Sequence, residues 1–203
     1  MAKVLIATLY SPDPVLLAAN RLGPDRLILL LDKKPNKEQE ENFKLIKESL
    51  GRVVDVKSIK TEVYDIVKVA EKAVEIIDMQ PKDDEIFINI TSGRKTKALG
   101  LLFAAYARSN RVKKIAYNPE EDKNAVVWLP KLSFKLTDSQ KKVLEALNDE
   151  ESSHLSLVDL AEKIGISRAM LYRNIDELRD MGYIFADDSG VFRLTDAGRI
   201  ARL

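Results

Sequence analysis

The chain has 203 residues, with 33 Lys or Arg against 32 Asp or Glu, one histidine and no cysteine. A net charge of +1 and 45% hydrophobic residues set it apart from disordered and polycationic chains, and the missing cysteines exclude disulfides and thiolate metal sites. The lone His154 leaves little scope for imidazole chemistry, and a reducing cytoplasm is the expected setting.

Taken in chain order, two periodicities alternate through the first two thirds. VLIATL (4–9), RLILLL (26–31), VVDVKSI (53–59), EIFINI (85–90) and KKIAY (113–117) read as strands, several of them apolar on both faces. Helical spacing fills the gaps over 15–21, 37–50, 63–79 and 96–109, and the third segment sets Ile66, Val69, Ala70, Ala73, Val74 and Ile77 on one face. Strand and helix alternating in this way predict right-handed crossovers and an α/β, Rossmann-like, mainly parallel sheet with helices on both faces over residues 1–130. A last strand, AVVWL (125–129), is expected to run antiparallel to KKIAY. No apolar stretch approaches the roughly 20 residues of a membrane span, and MAKVLIATLYSPDP lacks a basic leader or cleavage site, so no membrane partner is expected.

The pattern changes after Pro130, and residues 131–203 read as a linker and a small winged helix-turn-helix domain. DSQKKVLEAL, SLVDLAEKI and SRAMLYRNIDELRDMG are the three helices, and YIFADDSGVFRLT is a hairpin about Asp-Asp-Ser-Gly. Leu157, Leu160, Ala161 and Ile164 share one helical face, Gly165 permits the sharp reversal, and Ser167 caps the next helix. Leu171, Ile175 and Leu178 then form the buried stripe of that helix. In this layout the second helix of the motif enters the major groove, so Ser167, Arg168, Ala169, Tyr172 and Arg173 are the candidate DNA contacts. From Phe134 onward ten Lys or Arg face thirteen Asp or Glu, an unfavourable electrostatic footprint that dimerisation would ease. A winged helix that docks protein is the alternative.

Between EIFI and GLLFAAYA lies NITSGRKTKAL, a polar stretch with cations at Arg94, Lys95 and Lys97. It is not a triphosphate loop, because no glycine stands in the register that Gly-x-x-x-x-Gly-Lys-Ser/Thr requires. The first strand leads into Tyr-Ser-Pro-Asp-Pro, not a glycine fingerprint, so a dinucleotide is not expected either, and no cofactor is implied. A loop after a central parallel strand nevertheless opens at the carboxyl edge of the sheet, before a helix whose free N–H groups favour anions. Cations at that end of a helix cost roughly 0.3–1 kcal/mol each unless an anion neutralises them.

Asn-x-Thr-x-Gly-Arg-Lys-Thr (89–96) after the fourth strand of such a domain, followed by a winged helix, resembles the CRISPR-associated Rossmann fold (CARF) transcriptional regulators. The resemblance spans the whole chain. It implies a two-fold homodimer whose two copies of this loop, with the loops after the first strands, form one pocket for cyclic oligoadenylate, with cyclic tetra-adenylate the first choice. On this sequence the ligand-binding residues would be Leu9, Tyr10, Ser11, Pro12 and Asp13, together with Thr91, Ser92, Gly93, Arg94, Lys95 and Thr96. A ring of four adenylates has two-fold symmetry and would meet each of these groups twice. The expected protein is a regulator and not an enzyme. The rival is a phosphodiesterase opening the ring through its own ribose hydroxyl, with Lys95 or Arg94 stabilising the developing charge.

Other features read blandly. His154 is expected to be solvated, Trp128 and Phe103 to pack in a core or interface, and Lys33–Lys44 to supply a turn and an exposed helix face. Glu120, Glu121 and Asp122 are adjacent in a turn and cannot converge on one cation.

Overall fold

The computed structural model describes residues 1–119, 121–122, 125–132, 136–149 and 155–203. His154 and Glu120 therefore lie outside the described residues. The chain divides into two compact units, Met1–Ser133 and Phe134–Leu203.

In the first unit β1 (Lys3–Thr8), α1 (Pro12–Leu22), β2 (Arg26–Asp32), α2 (Lys37–Leu50), β3 (Asp55–Thr61), α3 (Ile66–Asp78), β4 (Glu85–Asn89), α4 (Lys95–Ala107), β5 (Val112–Tyr117) and β6 (Val127–Leu129) follow one another. They build a six-stranded sheet in the order β3-β2-β1-β4-β5-β6. Five strands are parallel and β6 returns antiparallel to β5, with Trp128 opposite Ala116. Leu5, Leu27, Leu29, Val15, Ala19 and Ile46 share one core, which places α1 and α2 over one face of β1–β3. The chain then crosses back to β4, and right-handed connections carry α3 and α4 to the opposite face. Strand order reverses between β1 and β4, the switch point at which open α/β sheets leave a crevice beyond their carboxyl ends.

Several boundaries differ from the sequence reading for local reasons. The first helix begins at Pro12, because a proline needs no helical donor at that position. The third begins at Ile66, because the Asp65 side chain accepts from the Lys68 N–H and caps it there. Of the two settings expected for Trp128, the core is not the one found within the chain: the residue is 53% exposed, on a strand at the sheet's edge, with the Lys114 ammonium 4.7 Å from its ring centroid.

The second unit comprises α5 (Asp138–Asn148), α6 (Leu157–Ile164), α7 (Arg168–Asp180), the hairpin β7 (Ile184–Ala186) and β8 (Phe192–Leu194), and α8 (Asp196–Arg202). Thr137 and Gln140 form a reciprocal capping box at the start of α5. Val143, Leu144, Leu160, Leu171, Ile175, Leu178 and Ile184 form its core. Among the described residues, no helix is long and apolar enough to cross a membrane.

Candidate functional site

The loops after β1 and β4 are held together by one buried hydroxyl. Ser92 Oγ accepts from the Tyr10 N–H at 2.9 Å and the Ser11 N–H at 3.0 Å, and donates to the Ser11 carbonyl. Thr8 Oγ1 closes the same crossing by donating to the Ser92 carbonyl. Gly93 follows at φ +98°, and a Cβ there would stand 2.7 Å from that of Thr8, so both conformation and space require glycine. At the far side Asn118, just after β5, donates its N–H to Thr91 Oγ1 at 2.8 Å and accepts from Asn89 Nδ2 at 2.9 Å. Beside this junction lies a cleft of about 490 Å³, bordered by Tyr10, Ser11, Leu17, Asn20, Gly93 and Asn118.

The three cations of the loop have different fates. Lys97 is fully buried; its Nζ donates to Asp32 Oδ1 at 2.9 Å and to the Leu30 carbonyl at 3.0 Å. Arg94 donates from Nε to Asp32 Oδ2 at 3.1 Å. Burial opposes the charge of Asp32, but the bonds from Lys97 and Arg94 prevail and hold its carboxyl below the ordinary range. Desolvation pushes Lys97 downward, against the pull of Asp32. The first turn of α4 has no acidic residue of its own, so Asp32 supplies from β2 the negative charge the helix start lacks. Lys95 is exposed and has no ion-pair partner among the described residues. An anion approaching the loop therefore meets Lys95 and the outer edge of Arg94, whose side chain is 42% exposed.

These contacts place the residues expected at the ligand. Leu9 is fully buried, its N–H bonded to the Leu30 carbonyl and its carbonyl to Gln39, so it belongs to the core and not to a ligand surface. The hydroxyls of Thr91, Ser92 and Thr96 are engaged by Asn118, the β1 loop and the Val63 carbonyl, and these bonds shape the loop. Pro12 and Asp13 form the first turn of α1, and Asp13 borders the cleft. Tyr10, Ser11, Gly93 and Thr91 also reach it.

Asp32, Gln39 and Asn118 hold the two loops from beneath and were missed by pattern reading. Gln39, expected on an exposed face, is buried, accepting from the Asp32 N–H at 2.9 Å and donating to the Leu9 carbonyl at 2.7 Å. The available signal was positional: Asp32, Asn89 and Asn118 each end or follow an apolar parallel strand, where side chains gather at the carboxyl edge.

In the second unit Gly165 adopts φ +69° at the end of α6, and Ser167 Oγ accepts from the Met170 N–H to start α7. Arg168, Ala169, Tyr172 and Arg173 are exposed together on that helix. Arg173 is tied along the helix to Glu177 at 2.8 Å, whereas Arg168 has no ion-pair partner among the described residues. The wing turn is organised by Asp187, which accepts from the Ser189 N–H and hydroxyl, the Val191 N–H and Arg193 Nε. The Ser189 hydroxyl, then Arg193 and the backbone donors, lower its carboxyl to about 2. Because that value lies below the unfolded one, its stabilisation of the turn is complete above the ordinary carboxylate range and is lost as pH falls through about 2. In an NMR acid titration the Ser189 and Val191 amides should shift with a midpoint near 2; a midpoint at the ordinary aspartate value would show that the turn is not held this way.

The HFX_2341_N (HFX_2341-like, N-terminal) family model matches residues 4–122, more than half of the chain. The chain belongs to the HFX_2341-like family. A second model, an HTH domain, matches residues 139–191 of this HFX_2341-like protein. It thus carries a CARF-like N-terminal domain followed by a winged helix-turn-helix, as the motif and domain order implied. No curated protein matches it in sequence. Among solved structures it is similar to protein VC1899 from Vibrio cholerae, at 10% identity and TM-score 0.52 over 98% of this chain and 63% of that one. It is also similar to Enterococcus italicus Csm6 bound to cyclic hexa-2'-fluoro-hexa-dAMP, at 16% identity and TM-score 0.50 over 90% of this chain and 55% of that one. Can2 from Sulfobacillus thermosulfidooxidans, in complex with cyclic tetra-adenylate, aligns at 16% identity and TM-score 0.49 over 98% of this chain and 63% of that one. The HFX_2341-like chain spans less than two thirds of each of these proteins, and at such identities the likeness speaks to fold alone.

Proposed function

We propose that this chain is a homodimeric, DNA-binding transcriptional regulator of the cytoplasm whose N-terminal domain senses a cyclic oligoadenylate. The observation that carries the reading is the junction at the β1/β4 switch point: two loops fastened by Ser92, a cleft of about 490 Å³ beside them, and, at the start of α4, exposed Lys95 with no ion-pair partner among the described residues. Backbone amides and a cation at a helix N-terminus suit phosphodiesters. The fold shared with Csm6, whose structure holds a cyclic hexanucleotide analogue, supports the ligand class. The exposed row on α7 supports DNA as the second partner.

A second copy of the chain completes the site. On the side of α1, no helix of the first unit is seen over β4–β6 among the described residues, and Phe87, Ala116 and the half-exposed Trp128 border an apolar pocket of about 260 Å³ against Ala18 and Leu22. Burial of that surface by its symmetry mate would bring two cleft edges together, and a ring with two-fold symmetry would use each contact twice. Ligand binding would then alter the spacing of two recognition helices, whose half-sites lie roughly 34–36 Å apart or a multiple of that. Calorimetric titration with cyclic tetra- and hexa-adenylate, followed by chromatography of the mixtures, tests this: one ring should bind and stay intact. Linear products would instead favour the phosphodiesterase, and an absence of binding would remove the ligand class.

A further inference from the structure

We propose that Tyr64, on the connection after β3, is a stacking platform for one nucleobase of the bound ligand, an assignment that rests on the oligonucleotide-sensing reading above. The ring is 77% exposed, the most solvent-open aromatic beside the loop. It is nevertheless held in place. Arg94 Nη1 donates to Tyr64 Oη at 3.4 Å, the guanidinium carbon lies 5.8 Å from the ring centroid, and the neighbouring Val63 carbonyl accepts from Thr96 Oγ1 at 2.5 Å. These contacts fasten the connection after β3 to the first turn of α4 and fix the ring beside the loop's cation.

The strand order β3-β2-β1-β4 arranges the groups in a row along the carboxyl edge: Tyr64 after β3, Asp32 ending β2 with Arg94 upon it, and Tyr10 after β1. Tyr10 is 47% exposed, and its backbone is fixed by Ser92 and by Asn42, which donates to its carbonyl at 2.7 Å. Aromatic, cation, aromatic is the order that base, phosphate, base presents along a strand of nucleic acid. Arg94 has five donors, and the bonds to Asp32 and Tyr64 use two, which leaves its outer N–H groups for a phosphate oxygen between the two rings.

The closing test titrates the full chain and its Tyr64→Phe and Tyr64→Leu variants with cyclic tetra-adenylate, and with pyrophosphate as a probe that carries charge without a base. Stacking on an aromatic ring is worth about 5-fold or more in affinity per base, so Tyr64→Leu should lose at least that for the cyclic ligand. Tyr64→Phe, which keeps the ring and loses only the hydroxyl, should bind close to the parent, and pyrophosphate should not distinguish the three. Equal affinity of Tyr64→Leu and the parent for cyclic tetra-adenylate would overturn the platform and leave the sensing reading intact. A parallel loss in Tyr64→Phe, or of pyrophosphate binding in Tyr64→Leu, would show that the residue only positions Arg94, which also overturns it. Failure of the parent chain itself to bind any cyclic oligoadenylate would overturn the sensing reading and the platform with it.

Discussion

Replacing Asp32 with alanine should destabilise the protein by about 3–5 kcal/mol, because it strands the fully buried Lys97 ammonium without its counter-ion. Arg94 loses its anchor in the same step, and the Gln39 side chain keeps only its backbone partners. The expected loss is a large part of a domain's typical stability, so the variant should unfold at markedly lower denaturant. The origin of the loss is an unpaired charge and not a cavity, which makes a specific rescue available. Combining Asp32→Leu with Lys97→Met removes both charges and should recover most of the stability, since apolar pairs of similar volume commonly match or exceed a buried ion pair. Denaturant unfolding of the single and double variants checks this. If the double variant is as unstable as Asp32→Ala, the pair is not the element that holds the start of α4.

Lys95→Ala should leave the fold unchanged and disconnect the ligand from the DNA. Lys95 is exposed and has no ion-pair partner among the described residues, so its removal changes stability little. A charge-assisted bond to a phosphate is worth about 1.5–3 kcal/mol, and a ring that meets Lys95 of both copies loses two of them, which corresponds to a loss of roughly 150-fold or more in ligand affinity. Arg94→Ala is a less clean probe, because Arg94 also neutralises Asp32. In an operator-binding assay the parent chain should change its DNA affinity by about 5- to 150-fold when saturated with cyclic oligoadenylate. Lys95→Ala should bind unliganded DNA like the parent and show no response at the same ligand concentration. Equal weakening of unliganded DNA binding would contradict this division of roles between the two units.

The sheet was legible in the sequence because VLIATL, RLILLL and EIFI are too short and too uniformly apolar for helices on a protein surface, and because helical stripes stand between them. The winged helix was legible through Gly165, Ser167 and the spacing of its core leucines. What periodicity could not convey was the pairing of polar groups across the sheet. Asp32 and Lys97 are 65 positions apart and meet only because β2 ends beside the loop that opens α4. The cost of cations at that helix start looked like an argument for an external anion, but for Arg94 and Lys97 the anion is Asp32, inside the fold. Lys95 is the cation of the three without such a partner among the described residues. Likewise Leu9 lies in the β1 loop and Ser92 in the motif, and only the packed structure separates residues that build the surface from those that present it.

Calorimetric titration of cyclic tetra-adenylate into the full chain, read for stoichiometry, tests the central claim most directly. A site assembled from two copies of the β1 and β4 loops predicts one ring bound per two chains. One ring per chain, or no heat of binding with any cyclic oligoadenylate, would contradict it.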